Sequence, residues 1–189
     1  MGHRFDPIHA GKLNNEERRK MLPPDKVLQY LDLKKEDTVL DLGAGTGYFS
    51  IPIAKLVKKV ISVDVSEEML DHLKQELERE KIDNIETILH EIETLPFNDR
   101  IADKVILSLV LHEVKDLNQT IREIRRVLHP KGKLLVIEWE KKISKSGPPI
   151  EERLESFQLK RVLEDNYFQV SLKRINPDQY LLIGELKKD

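Results

Sequence analysis

The chain has 189 residues, 39% of them hydrophobic, which is the length of one ordinary domain with a core of its own. Its net charge of -2 comes from nearly balanced acids and bases, so no global field draws it to nucleic acid, and the absence of cysteine removes disulfides, thiolate metal sites and thiol nucleophiles together. No run approaches the roughly 20 apolar residues that span a bilayer, MGHRFD lacks an apolar signal core, and Asp6 stands where a myristoylation signal needs Ser or Thr, so a cytoplasmic protein without a membrane partner is expected.

Residues 1–22 are polar and carry Phe5, His9, Lys12, Leu13, Arg18 and Arg19. Asn14 or Asn15 can cap a short helix with Glu16 and Glu17 in its first turn, and the segment reads as a surface arm. Pro23 and Pro24 then open a helix in which Val27, Leu28 and Leu31 recur at helical spacing. The next stretch, VLDLGAGTGYFS from Val39 to Ser50, is a short apolar strand, an acid, three glycines and the start of a helix. Such a turn needs residues free to take φ > 0, and a ligand lying against it needs backbone without Cβ atoms, so Gly43, Gly45 and Gly47 point to a nucleotide-like ligand. A dinucleotide fingerprint has its third glycine at position 48, where Tyr48 stands. Asp41, two residues before Gly43, repels phosphate and attracts a cation, which favours an aminium or sulfonium ligand over a pyrophosphate.

Phe49, Ile51, Ile53, Ala54, Leu56 and Val57 predict a mostly buried helix, with Pro52 tolerable near its first turn. A second strand, Val60 to Val63, ends at Asp64, about twenty residues beyond the glycines, where doubly wound folds put the acid that accepts both ribose hydroxyls. Ser66 caps a helix over 66–81 that carries Met69, Leu70, Leu73 and Leu77 on one face. The third strand, Ile85 to Leu89, leads into HEIETLPFND, in which Glu93 reads as a solvated acid, and the fourth, Lys104 to Val110, leads into LHEVKD. The carboxyl ends of parallel strands face the ligand crevice, which places Ser108, Leu109, His112 and Glu113 beside the reacting group. Two roles are open to His112: a general base near neutral pH, or a local hydrogen bond that orders the loop. Asp116 and Gln119 form a capping-box-like start to a helix with Leu117, Ile121, Ile124 and Leu128 on its apolar face. HPKGK, 129–133, reads as a turn into a fifth strand, Leu134 to Trp139, whose exit places Glu138 and Trp139 to face substrate or line its rim. Residues 140–150 are a loop broken by Gly147, Pro148 and Pro149, followed by a charged helix, Glu151 to Asp165, with Asn166 available for a left-handed end. Phe168 to Ile175 and Tyr180 to Leu186 alternate as an antiparallel hairpin.

DLGAGTG after an apolar strand resembles the first motif of the class I S-adenosylmethionine (SAM) dependent methyltransferases, and HEIETLPF and LHE are similar to that family's third- and fourth-strand exits. The resemblance runs in motif order over residues 23–189 and looks nearest to the group that includes the ubiquinone and menaquinone biosynthesis methyltransferases, which are longer and begin with a different signature. It implies one α/β domain over 1–189: a doubly wound, mostly parallel seven-stranded sheet closed by an antiparallel C-terminal hairpin. It implies SAM as cofactor, seated by Asp41, Gly43, Ala44, Gly45, Thr46, Gly47, Asp64, Val65, Met69, Glu91, Ile92, Ser108 and Leu109, with Glu91 on the adenine amino group and Ile92 on the ring. It makes His112 and Glu113 the candidate catalytic residues and residues 1–22 a candidate lid in which Phe5, His9 and Lys12 touch ligand. No metal is implied. The expected partner is a small-molecule methyl acceptor and not nucleic acid, with a homodimer possible. Cytosine C5 and arsenite methylation need cysteine, and the Asn/Asp-Pro-Pro-Tyr/Phe signature of amino-methylating enzymes is absent after the fourth strand. The alternatives are a non-catalytic SAM-binding module and a methyltransferase of macromolecules; an NAD or nucleotide-sugar enzyme conflicts with Asp41 and Tyr48. The 35% charged fraction, rich in Lys and Glu, points to a heat-loving source.

Overall fold

The computed structural model describes residues 16–187, so Phe5, His9 and Lys12 lie outside the described residues. The elements are α1 (Glu16–Met21), α2 (Pro24–Leu28), β1 (Thr38–Leu42), α3 (Ser50–Ala54), β2 (Lys59–Asp64), α4 (Glu67–Glu80), β3 (Ile85–Leu89), β4 (Ala102–Ser108), α5 (Leu117–Val127), β5 (Leu128–Trp139), α6 (Ser156–Asp165), β6 (Phe168–Arg174) and β7 (Gln179–Leu186). The strands form one sheet in the order β3-β2-β1-β4-β5-β7-β6, parallel except for β7, which runs antiparallel to both β5 and β6. This is the expected doubly wound sheet with its antiparallel hairpin. Chain order reverses between β1 and β4, and the carboxyl ends of the strands at such a switch point are where doubly wound folds bind ligands.

Strand alternation sorts the core into two layers, because successive side chains point to opposite faces. Leu40, Val105, Leu107, Leu134 and Val136 face α5 and α6 through Ile121, Ile124, Leu159 and Leu163. Val39, Ile106, Leu135 and Ile137 face α2 and α3 through Val27, Leu28 and Ile53. The central strands are thus apolar on both faces, as a parallel sheet covered by helices requires.

Four sequence expectations need adjustment. The helix after the glycines is short, Ser50–Ala54, with Pro52 in its first turn, and the chain turns toward β2 soon after. HPKGK is no separate turn but lies inside the long strand β5, where the register with β4 jumps from Ala102 opposite Leu128 to Lys104 opposite Lys133 and accommodates the extra residues as a bulge. The helix expected from Glu151 starts at Ser156, because Glu155 caps it by accepting from Phe157 and Gln158. Asn166 is not left-handed; the positive φ, 70°, falls on Tyr167. No described helix is long and apolar enough to cross a membrane.

Candidate functional site

Gly43, Gly45 and Gly47 have φ of 73°, 53° and 85°, which explains their residue type. At Gly43 a Cβ would lie 2.6 Å from the Val110 side chain, so the close approach of the loop to the β4 exit also needs glycine. The loop folds over the end of β2: the Gly43 and Ala44 N–H groups donate to the Val63 carbonyl at 2.8 and 3.0 Å. Gly45 N–H donates to Asp64 Oδ2 at 2.7 Å and Ser66 N–H to Oδ1 at 2.9 Å, so both carboxylate oxygens are held in place at the crevice. Ser66 also caps α4 by accepting from Met69 N–H; Val65 is exposed beside it, and Met69 is buried.

Asp41 lies under the loop at 2% exposure. Its Oδ2 accepts from Ser50 Oγ at 2.5 Å, and Ser62 Oγ donates onward to Ser50 at 2.8 Å. Burial is the main cause that pushes its carboxyl up to about 6, the neighbouring Asp64 adds to this, and the Ser50 hydrogen bond opposes it. Two buried hydroxyls, Thr46 Oγ1 in the loop and Ser108 Oγ at the end of β4, have no hydrogen-bond partner among the described residues. Buried hydroxyls are seldom left unmatched, so both fit a polar ligand lying along the loop. Leu109 follows with φ 61°, a conformation strained for leucine, and its N–H donates to the Ile137 carbonyl at 2.9 Å.

The HEIETLPF segment is tied to the same place, since His90 N–H donates to the Asp64 carbonyl at 3.0 Å. Ile92 is buried, while Glu91 is exposed with Oε1 3.3 Å from Lys115 Nζ. Glu93, expected to be merely solvated, braces the loop by accepting from Lys115 N–H at 3.0 Å.

At the exits of β4 and β5, His112 Nδ1 lies 2.9 and 3.1 Å from the two oxygens of Glu138. The Glu138 side chain is wholly buried, so its carboxylate fixes the imidazole tautomer with Nδ1–H toward it and leaves Nε2 as the basic atom, 3.8 Å from Glu113 Oε1. Burial pulls the His112 pKa down, but Glu138, helped by Glu113 and Glu152, outweighs it and holds the imidazole above its usual value. Three further residues carry weight that the sequence did not single out for this role. Arg18 stacks over the Tyr48 ring at 4.2 Å, Glu152 Oε2 is buried with no hydrogen-bond partner among the described residues, and Arg153 donates to the carbonyls of Lys142, Ser146 and Pro148 in the 140–149 loop.

Residues 33–168 match the family described as a methyltransferase domain. The chain belongs to the class I SAM-dependent methyltransferases. It is 32% identical over 164 residues to the ubiquinone/menaquinone biosynthesis C-methyltransferase UbiE of Pectobacterium carotovorum, covering 80% of this chain and 65% of that one. Against the UbiE of Escherichia coli it is 36% identical over 115 residues, 59% of this chain and 46% of the relative. The chain therefore spans less than two-thirds of the length of these curated relatives. A SAM dependent methyltransferase from Aquifex aeolicus superposes with a TM-score of 0.89 at 28% identity, covering 96% of this chain and 98% of the other. The PH0226 protein from Pyrococcus horikoshii shares the fold, with a TM-score of 0.79 at 24% identity over 97% and 100% of the two chains. SAM is the cofactor of this methyltransferase family. The structure brings the sequence-selected glycine loop, Asp64 and Ser108 together at the carboxyl ends of the neighbouring strands β1, β2 and β4.

Proposed function

We propose that this methyltransferase binds SAM across the exits of β1, β2 and β4 and transfers its methyl group to a small-molecule acceptor, with His112 Nε2 taking the proton when the acceptor carries one. The observation that carries the reading is the convergence of the positive-φ glycine loop, the backbone-held Asp64 and the His112–Glu138 pair on the carboxyl edge of one sheet. When bound, SAM supplies an electrophilic methyl on a sulfonium, whose carbon–sulfur bond breaks with its electron pair passing to sulfur.

The protein's own part is placement and proton handling. The glycine loop and Asp64 hold the donor end, in the order glycine loop to amino-acid end, Asp64 to ribose and the Glu91–Ile92 segment to adenine. Orienting two reactants supplies roughly 7 to 11 kcal/mol in model systems. His112, aligned by Glu138 and raised above its usual pKa, accepts a proton most readily from a hydroxyl or another weak acid. The small-molecule reading draws on the UbiE relatives, named as C-methyltransferases of ubiquinone and menaquinone biosynthesis, and on a chain without a global basic field.

Incubation with methyl-tritiated SAM and a whole-cell extract tests this. Label is expected in the dialysable fraction, and His112→Gln should lower that transfer by about 10²- to 10⁴-fold. Label confined to protein or nucleic acid would overturn the small-molecule assignment. SAM binding without any transfer would point to a non-catalytic binding module.

A further inference from the structure

Helix α1 and the residue after it meet the glycine loop at Tyr48. Tyr48, directly after Gly47, is buried and immobilised on three sides: its hydroxyl donates to the Leu22 carbonyl at 2.7 Å, its ring packs edge-on against Phe49 at 5.1 Å, and the Arg18 guanidinium lies over its face at 4.2 Å. Helix α1 is fixed from its other end as well. Leu22 N–H closes a helical turn onto the Arg18 carbonyl at 2.8 Å, and Asn176 Nδ2 donates to the Met21 carbonyl at 3.0 Å. Arg18 is thereby placed by the fold beside the glycine loop, and its charge acts on Asp41, the buried acid beneath that loop.

The stack on Tyr48 thus brings a cation to the glycine loop that follows Asp41 in the chain. The amino-acid end of SAM is a zwitterion, with an ammonium and a carboxylate on one carbon. Asp41 beneath the loop suits the ammonium and, together with the ribose acid Asp64 on the next strand exit, repels the carboxylate, so a carboxylate at this place needs a cation. A guanidinium stacked by its face makes hydrogen bonds through its edge, in a planar fork that matches a carboxylate. We propose that Arg18 binds the carboxylate of the amino-acid end of SAM, so that the helix before the sheet completes the cofactor site. This rests on the reading that the glycine loop seats that end of the cofactor. It also gives the polar N-terminal segment a ligand-dependent role, since cofactor and α1 then hold each other in place.

Calorimetric titration of the full chain with SAM and with decarboxylated SAM tests the assignment, since the second ligand keeps the ammonium and sulfonium but lacks the carboxylate. Wild type is expected to bind SAM about tenfold to a hundredfold more tightly than its decarboxylated analogue. Arg18→Ala should lose most of that preference by weakening SAM alone, and Arg18→Lys should restore part of it. Equal weakening of both ligands, or no change in either, would overturn the role of Arg18 while leaving the SAM site standing. So would a wild-type protein that does not discriminate between the two, a comparison that needs no variant to fold. Binding of neither ligand to wild type would overturn the SAM reading itself.

Discussion

Asp41 is a carboxyl enclosed by the β1 exit, the glycine loop and Ser50, and burial raises its pKa from 3.8 to about 6. The folded state therefore holds this proton more tightly than the unfolded chain does. Its contribution to stability is fully present below the unfolded value, falls as pH rises toward about 6, and stays lost above that. A shift of about 2 units corresponds to about 3 kcal/mol across that window. Asp41→Asn should flatten this part of the stability profile in urea titrations between about pH 4 and about pH 6. An unchanged slope would place the titration on another group. Asp41 thus weakens the ligand-free fold near neutral pH, in keeping with the proposed seat for a cationic group.

At the scale of elements, the loop of residues 140–149 between β5 and α6 is tied down by Arg153. That side chain is 5% exposed and donates to the carbonyls of Pro148, Lys142 and Ser146 and to Ser144 Oγ, at 2.7 to 2.9 Å. Its guanidinium also lies 5.4 Å from the Trp139 ring. Glu140 anchors the next turn by accepting from Ser156 N–H and Oγ at 3.2 and 2.8 Å. Arg153→Ala should release the loop, read as faster tryptic cleavage at Lys141, Lys142 and Lys145, while SAM affinity stays within about twofold because these contacts lie apart from the glycine loop. Cleavage at the wild-type rate would show that the loop is held by something else. Arg153 was not legible in the sequence, where it is one charge in a run of charges. The same limit hid the His112–Glu138 pair and the Arg18 stack, whose partners lie 26 and 30 residues apart and meet only through sheet register and a returning helix. The glycine loop, the acid that ends the second strand and the succession of strands along the chain were legible because their signals are local: a strand, an acid and a turn that only glycine can make. HPKGK misled because a bulge and a turn ask for similar residues.

Over the whole molecule, the apolar strands sort helices to both faces of the sheet and leave its carboxyl edge to polar chemistry. Chain order reverses between β1 and β4, and four neighbouring strands bring the candidate residues to one edge of the sheet: β2 ends at Asp64, β1 leads into the glycines, β4 ends at Ser108 and leads to His112, and β5 carries Glu138. An NAD enzyme on a similar fold needs the pyrophosphate to lie where Asp41 and Tyr48 stand, so the two cofactors make opposite demands on one loop. Calorimetric titration of the full chain with SAM and with NAD, and of Asp64→Ala with SAM, tests the cofactor site. SAM is expected to bind and NAD not to, and Asp64→Ala should weaken SAM by about 1.5 to 3 kcal/mol through lost charged hydrogen bonds. Binding of NAD without SAM, or SAM affinity untouched by Asp64→Ala, would contradict it.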